Sequence, residues 1–431
     1  MYELVVRERG GSIMRTFKSI CRGGTAIIAG LLFTAGYTQA RETTLSTKTH
    51  PVLADLKGLK AIGVKAKLSH EATQVGYAEI SPSQEQALAY WAHRNGKCGG
   101  YEKLPYNAAS YSSLGKSVFG YLSERVKKDQ NNSYKYTKSS IRPQFQTRIE
   151  SAIHEVSESK IKQTIDLLSS FPTRYNKGLT ANEPVLALKG HIEEILKDSN
   201  LKAQVELISH NSTPQQSIRV RIPGQVRPNE IIVLGGHMDS INQEWFGPKK
   251  APGADDNASG SANLVEALRI LSRQPQPERT IDFYWYAGEE SGLLGSAEIA
   301  REARNSNQDI IAVLQLDMTL FPGSGEFVMG SMTDFTSAWM RTYLESINQL
   351  YLKAKIIEDK CGYGCSDHAS WYRQGYPTLM PFEATFDGMN HNLHTSKDVI
   401  NSESSLAHSA MFSKIALIIA MDLGSSTNRE P

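Results

Sequence analysis

Two short apolar runs with a helical stretch between them set the plan of this chain. EIIVLGG (230–236) and TIDFYWYAG (280–288) are rich in β-branched and aromatic residues and break at glycine, as buried strands do. ASGSANLVEALRILSRQ (258–274) opens on small residues and then carries apolar side chains at helical spacing. The order predicts a β-loop-α-β unit. SIRVRIPG (217–224) precedes it across a turn at Arg227-Pro228-Asn229 and is expected to lie beside EIIVLGG, and DIIAVLQLDM (309–318) adds a further strand. Helical periodicity recurs in 145–171, which reads as two helices, in EPVLALKGHIEEILKD (183–198) and in a final helix over 404–424. Strands alternating with helices make this an α/β protein with a mostly parallel twisted sheet flanked by helices.

The first third of the chain lacks this pattern. Arg15, Lys18 and Arg22 precede the apolar stretch GTAIIAGLLFTAG (24–36), and Thr38-Gln39-Ala40 offers a small-residue cleavage site. Residues 1–40 therefore read as an export signal, too short in its apolar core to serve as a stable membrane anchor, and Met14 is an alternative start. Residues 41–141 hold scattered Tyr, Ser, Lys and Asn, with one amphipathic helix expected over 85–96 and a lysine-rich polar run at 127–140. They fit either a small N-terminal pro-region or a small accessory domain, the former being favoured because no residue there carries chemistry. The tail 426–431 is expected to be disordered, and Cys98 has no evident partner.

Composition narrows the function. The chain has 431 residues, 40% hydrophobic and 21% charged, with a net charge of +2 and no dense basic tract, so nucleic acid is not an expected partner. Chemistry gathers where the strands end. His237, Asp256, Glu290, Asp317 and His394 all follow apolar runs, and functional groups of parallel sheets collect beyond the carboxyl ends of strands. Two imidazoles and three carboxylates suit zinc or another borderline divalent ion. Five ligands exceed one tetrahedral zinc but serve two ions if one carboxylate bridges them. Glu289, beside Glu290, is then a candidate general base.

GGHMDS (235–240), PGADDNASG (252–260), YAGEESGLLGS (286–296), LQLDM (314–318), CGYGCSDHASW (361–371) and NLHTSKD (392–398) together resemble the motifs of the M28 family of zinc aminopeptidases, in particular the secreted bacterial leucyl aminopeptidase type, as in Vibrio. The resemblance spans about 142–425. It implies a three-layer zinc-exopeptidase fold with two zinc ions per chain. Asp256 would bridge the ions, His237 and Asp317 would complete one, and Glu290 and His394 the other. It further implies Glu289 as the catalytic carboxylate, Asp239 as the group orienting the His237 ring, Tyr363 as a phenol on the tetrahedral intermediate, and a cis peptide at Asp256–Asn257. Met318, Met380, Phe382, Phe386, Met389 and Leu393 match or neighbour the family's hydrophobic side-chain pocket. Cys361 and Cys365 lie in CGYGC, whose glycines permit a tight loop, and a disulfide is expected there rather than a soft metal site.

The expected substrate is a peptide with a free amino terminus and a bulky apolar first residue, and a secreted or periplasmic monomer is expected. Alternation along MPFEATF (380–386) would turn Glu383 away from Phe382 and Phe386 if the segment stays extended. A glutaminyl cyclase shares the implied fold but works with one zinc. A carboxypeptidase-like amidohydrolase would need an inserted domain for which there is no room, and a non-enzymatic module should have lost ligands or base.

Overall fold

The computed structural model describes residues 49–70, 74–95, 97, 100–104, 143–244 and 249–425. The expected export signal, Cys98, the polar run at 127–140 and the tail lie outside the described residues. The described chain opens with β1 (His50–Asp55), α1 (Leu56–Ala61), β2 (Leu68–His70), β3 (Val75–Ile80), α2 (Pro82–Arg94) and β4 (Tyr101–Lys103). These strands form an antiparallel sheet in the order β2-β3-β1-β4. Alternate side chains of β1 serve two cores. Val52 and Ala54 pack with Leu59, Ile80 and Leu88 of their own unit. Leu53 packs instead with Val75, Tyr77 and with Leu293, Phe335 and Tyr372 of the following domain. The sequence predicted only the helix here. HPVLAD and VGYAEI are six residues each and apolar toward both faces, so neither shows the polar alternation of a half-exposed strand.

The larger domain begins with α3 (Pro143–His154) and α4 (Glu158–Ser169), the two helices expected over 145–171, and α5 (Glu183–Leu196). Next come β5 (Gln204–Ile208), β6 (Ser217–Ile222), β7 (Arg227–His237), α6 (Gly260–Leu271), β8 (Arg279–Tyr286), α7 (Leu294–Asn305) and β9 (Asp309–Gln315). They are followed by β10 (Val328–Met332), α8 (Ala338–Ile347), β11 (Lys355–Asp359), α9 (His368–Gln374), β12 (Thr378–Leu379), β13 (Pro381–Phe382) and α10 (Leu406–Ser425). The central sheet runs β12-β9-β7-β8-β6-β5, parallel from β12 through β8 and antiparallel at β6 and β5. Strand β10 pairs with β11 and β13 in a separate three-stranded sheet.

Both faces of the central sheet are covered, which is why EIIVLGG reads as continuously apolar. Ile232, Leu234, Phe283 and Trp285 face the core shared with α4, α6 and α10. Ile231, Val233, Tyr284 and Tyr286 face Ile299, Ala300 and Trp371 on the other side. Three layers result, as expected. The helix α10 is long and apolar enough to cross a membrane, but most of it is buried in the larger core.

One pairing differs from expectation. β6 and β7 are not neighbours, because β8 lies between them and bonds to both. The link at 225–227 does not reverse as a hairpin. Its amides cross the start of β8, with Gln225 N donating to Pro277 O and Val226 N and Arg227 N to Glu278 O.

Glu85 is the electrostatic hub of the N-terminal unit. It lies 2.6 Å from Lys103 Nζ and 3.0 Å from His50 Nε2, and it accepts a 2.7 Å bond from Tyr101 Oη. Burial acts to raise its carboxyl, but bonds from His50, Lys103 and Tyr101 outweigh it and hold the pKa at about 2. A carboxyl lowered on folding stabilises above its unfolded pKa and loses that contribution as pH falls toward its folded value. Glu85→Gln is therefore expected to lower stability by about 1–3 kcal/mol at pH 7. The gap should narrow as pH falls below the ordinary glutamate value of 4.5 toward about 2. Urea unfolding of both proteins at pH 7 and pH 3 checks this, and an undiminished gap at pH 3 refutes it.

Candidate metal centre

Five segments deliver the chemistry to one spot beyond the carboxyl edge of the sheet. His237 is the last residue of β7, Glu289 and Glu290 follow β8 in a single 3₁₀ turn, and Asp317 lies two residues past β9. Asp256 sits in the wide helical turn at 254–259 that leads into α6. His394 comes from the loop before α10 and is 2% exposed, and none of the other four ligand candidates is more exposed than that.

Their atoms form two triangles sharing a corner. His237 Nε2 lies 3.1 Å from Asp256 Oδ1 and 3.3 Å from Asp317 Oδ1. His394 Nε2 lies 3.1 Å from Asp256 Oδ2 and 2.9 Å from Glu290 Oε2. Ligands about 2.0–2.1 Å from a tetrahedral ion sit roughly 3.3 Å from one another, so the imidazole–carboxylate edges of both triangles have the length that a divalent ion requires. Buried Glu290 Oε1 and Glu289 Oε2 accept no hydrogen bond among the described residues, as groups suited to an ion or to water would. The donor set fits two metal ions, with Asp256 giving one oxygen to each group.

The surrounding groups fix these side chains. Asp239 Oδ1 approaches His237 Nδ1 at 3.4 Å and also accepts the Glu289 amide at 3.0 Å, while Oδ2 accepts the Glu290 amide at 3.3 Å. Ser366 Oγ donates to Asp317 Oδ2 at 2.5 Å. The carboxylate of Asp398 accepts the amides of Asp255 and Asp256, each at 3.0 Å. The Asp256–Asn257 peptide is cis. Asn257 Oδ1 accepts the Gly260 amide at the start of α6.

Burial drives the Glu289 carboxyl well above the ordinary range, with Glu290 and Asp317 adding to the rise and His237 opposing it. Glu290 is pushed to about 7, chiefly by burial. Burial also acts to raise Asp256, but the two imidazoles outweigh it and hold that carboxyl below the usual range. Neighbouring carboxylates thus have opposed proton affinities, the condition under which one can hold a cation while another exchanges a proton.

Next to Asp317 lies a small apolar cavity of about 10 Å³, lined by Met318, Met332, Cys365, Met380, Phe382, Phe386 and Met389. Leu393 belongs to the same cluster but stands behind the lining. Tyr363 is buried in this cluster, its ring edge-on to Phe386 at 6.4 Å, and Cys361 and Cys365 are joined by a disulfide. Glu383 turns away, accepting the amides of Phe321 at 2.7 Å and Asn390 at 2.9 Å. Glu383 thus lies away from the cavity as the alternation along MPFEATF would have it, although only Pro381–Phe382 of that segment is extended as a strand and the chain bends at 383–384.

Several participants were missed in the sequence. Met332 comes from β10, a strand with no motif. Ser366 and Asp398 lie inside CGYGCSDHASW and NLHTSKD, whose presence could have flagged them. Lys97, from the N-terminal unit, bonds Cys361 O at 3.1 Å and lies 4.8 Å from the Tyr363 ring centre. His408 lies outside the centre and bonds Glu383 O at 2.8 Å.

Comparison with known proteins agrees with this geometry. Residues 217–419 match the model of peptidase family M28. Leucine aminopeptidase 1 of Aspergillus clavatus is 35% identical over 306 residues, covering 68% of this chain and 78% of its own. Leucine aminopeptidase 1 of Aspergillus oryzae is 36% identical, covering 63% and 72%. Among solved structures, the LapA aminopeptidase of Legionella pneumophila superposes with a TM-score of 0.72 at 25% identity, over 88% of this chain and all of that one. LapB of the same organism shares the fold, with a TM-score of 0.70 at 24% identity. Paired imidazole–carboxylate clusters at the sheet edge and relatives of this kind lead to one conclusion: the chain belongs to peptidase family M28 and is a metallo-aminopeptidase.

Proposed function

We propose that this protein is an exported dinuclear zinc aminopeptidase, without a stable membrane anchor, that removes a bulky apolar first residue from peptides. The observation that carries this reading is Asp256, whose two carboxylate oxygens turn toward two different imidazoles beside a Met- and Phe-lined cavity. His237 and Asp317 would hold one ion, Glu290 and His394 the other, with Asp256 between them. Bound there, the ions polarise the scissile carbonyl and make the attacking water acidic.

The remaining steps belong to side chains. Glu289 takes the proton from the attacking water and passes it to the leaving amine as the C–N bond breaks. Tyr363 donates a hydrogen bond to the oxygen of the tetrahedral carbon, and Asp239 keeps the His237 ring turned to its ion. The free α-amino group faces the buried carboxylates, and the first side chain is received at Met318, Met380, Phe382 and Met389, whose flexible side chains must part to admit it because the space between them holds little more than one water.

The N-terminal unit supplies the last part. We assign residues 41–141 as a pro-region that lowers activity until it is removed. Lys97, held by Asp55 at 3.2 Å, lies over Tyr363 and 5.9 Å from the Phe386 ring centre, at the wall that the first side chain must pass.

Three outcomes are expected. Glu289→Ala should keep about two metals per chain while activity falls ~10²–10⁴-fold, and Asp256→Ala should lose metal as well; elemental analysis with an aminoacyl-anilide assay decides, and metal loss from Glu289→Ala would sink the assignment. Leucyl-anilide should be cleaved with a kcat/KM ~10–200-fold above that of alanyl-anilide, since one or two buried methylenes are worth that much, and acetylating the amine should abolish cleavage. Cutting between the N-terminal unit and residue 142 should raise activity, whereas full activity in the intact protein would refute the pro-region.

A further inference from the structure

Arg174 drew no notice in the sequence, yet it is fully buried and among the described residues makes no ion pair. A guanidinium without a carboxylate in contact is costly to bury, and an apolar side chain of similar volume is often the more stable choice at such a position. Its donors go instead to backbone carbonyls. Nε bonds Met238 O at 2.8 Å, between His237 and Asp239. Nη2 bonds Gly253 O at 2.8 Å and Nη1 bonds Pro252 O, both on the approach to Asp256. Nη1 also reaches Leu168 O at 3.2 Å, in α4.

The backbone of Arg174 repeats the same bridge. Its amide donates to Ser240 Oγ at 3.1 Å, and Ser240 Oγ donates to Ala251 O at 2.7 Å. Thr173 pairs with Ala251 as a single parallel bridge. The loop opposite leaves room for the guanidinium. Gly253 has φ +53°, and a Cβ on it would stand 2.7 Å from Arg174 Nη2 and 2.6 Å from the Ser240 side chain.

We infer that Arg174 is a positioning residue for the metal centre: its guanidinium ties the loop after β7 to the loop before α6, and so sets His237 against Asp256 before any ion arrives. The same cation lies in the field of Asp398, Asp239, Asp256 and Glu290, which oppose the effect of burial on it, and with its pKa lowered only to about 10 it stays charged at neutral pH. Lysine could not replace it, because one ammonium cannot reach carbonyls on three sides of a planar fork.

The inference rests on reading the site as a metal centre, and the test separates the two. Metal-free wild-type protein is titrated with zinc against a competing chelator, alongside Arg174→Lys and Arg174→Met. If the wild type itself binds no zinc, it is the metal-centre reading that fails, and this inference falls with it. If it binds two ions, both variants should bind them ~10–100-fold more weakly, the range seen when groups supporting metal ligands are removed. In Arg174→Ala, millimolar guanidinium should restore much of the lost affinity, a rescue that a purely structural role would not give. Wild-type affinity in a folded variant overturns the proposal. Should the variants not fold, hydrogen exchange on the wild type decides. The backbone of 238–240 and 252–254 should be as protected without metal as with it, and loops that become protected only with metal overturn the proposal.

Discussion

Five carboxylates, those of Asp239, Asp256, Glu289, Glu290 and Asp317, meet in the buried interior around two imidazoles, none more than 2% exposed. A pair of like charges 4 Å apart repels by about 4 kcal/mol even at an effective dielectric of 20. Everything near the sheet edge answers that repulsion. Backbone amides answer part of it, those of Glu289 and Glu290 on Asp239 and those of Asp255 and Asp256 on Asp398. The imidazoles answer more: burial opposes charge on His237, yet Asp317 and Glu289 drive its pKa well up. Divalent cations are the natural counter-charge to such a cluster, and this links the fold to the chemistry of a metallo-aminopeptidase.

The sheet makes the cluster possible by holding its bearers rigidly. β7, β8 and β9 are parallel neighbours, so His237, the Glu289–Glu290 turn and Asp317 emerge side by side at one edge. The two cores that clamp these strands from opposite faces leave them no freedom to slide, since a shift of one residue would exchange the faces. Asp256 and His394 arrive on loops and need other restraints. Asp398 supplies one for the Asp256 turn, and Asp255, which accepts the amides of Thr319 and Leu320, ties that turn to the chain after β9. The N-terminal unit meets this rigid body through the Leu53–Tyr372 cluster, the buried Glu102–Arg373 pair and the Lys103 amide on Gly292 O. That last contact lies two residues from Glu290.

Much of this was legible because strand ends and motif spacing are local properties. The run EIIVLGG followed by His237, and TIDFYWYAG followed by Glu289 and Glu290, carry both the strand and the residue that leaves its end. The five ligand candidates come together as the sequence indicated, and the disulfide closes where CGYGC allowed it. Helices α3 through α6 and α10 fall where the apolar periodicity placed them.

What the tertiary structure alone decided are relations between segments far apart in sequence. The neighbour of β6 depends on where the link at 225–227 finds its hydrogen bonds, and those partners lie at Pro277 and Glu278. Met332 lines the cavity because β10 pairs with β13 and ends at Met380 O, a register that no property of VMGSM announces. Arg174 looks like any charged residue of a surface loop until the chain closes over it, and only then do the carbonyls of Met238 and Gly253 surround it. The sequence by itself determined which residues carry charge and which runs must be buried, because both follow from side-chain chemistry and period. The structure determined which charges face one another, because that depends on distances between loops that only the packed sheet fixes.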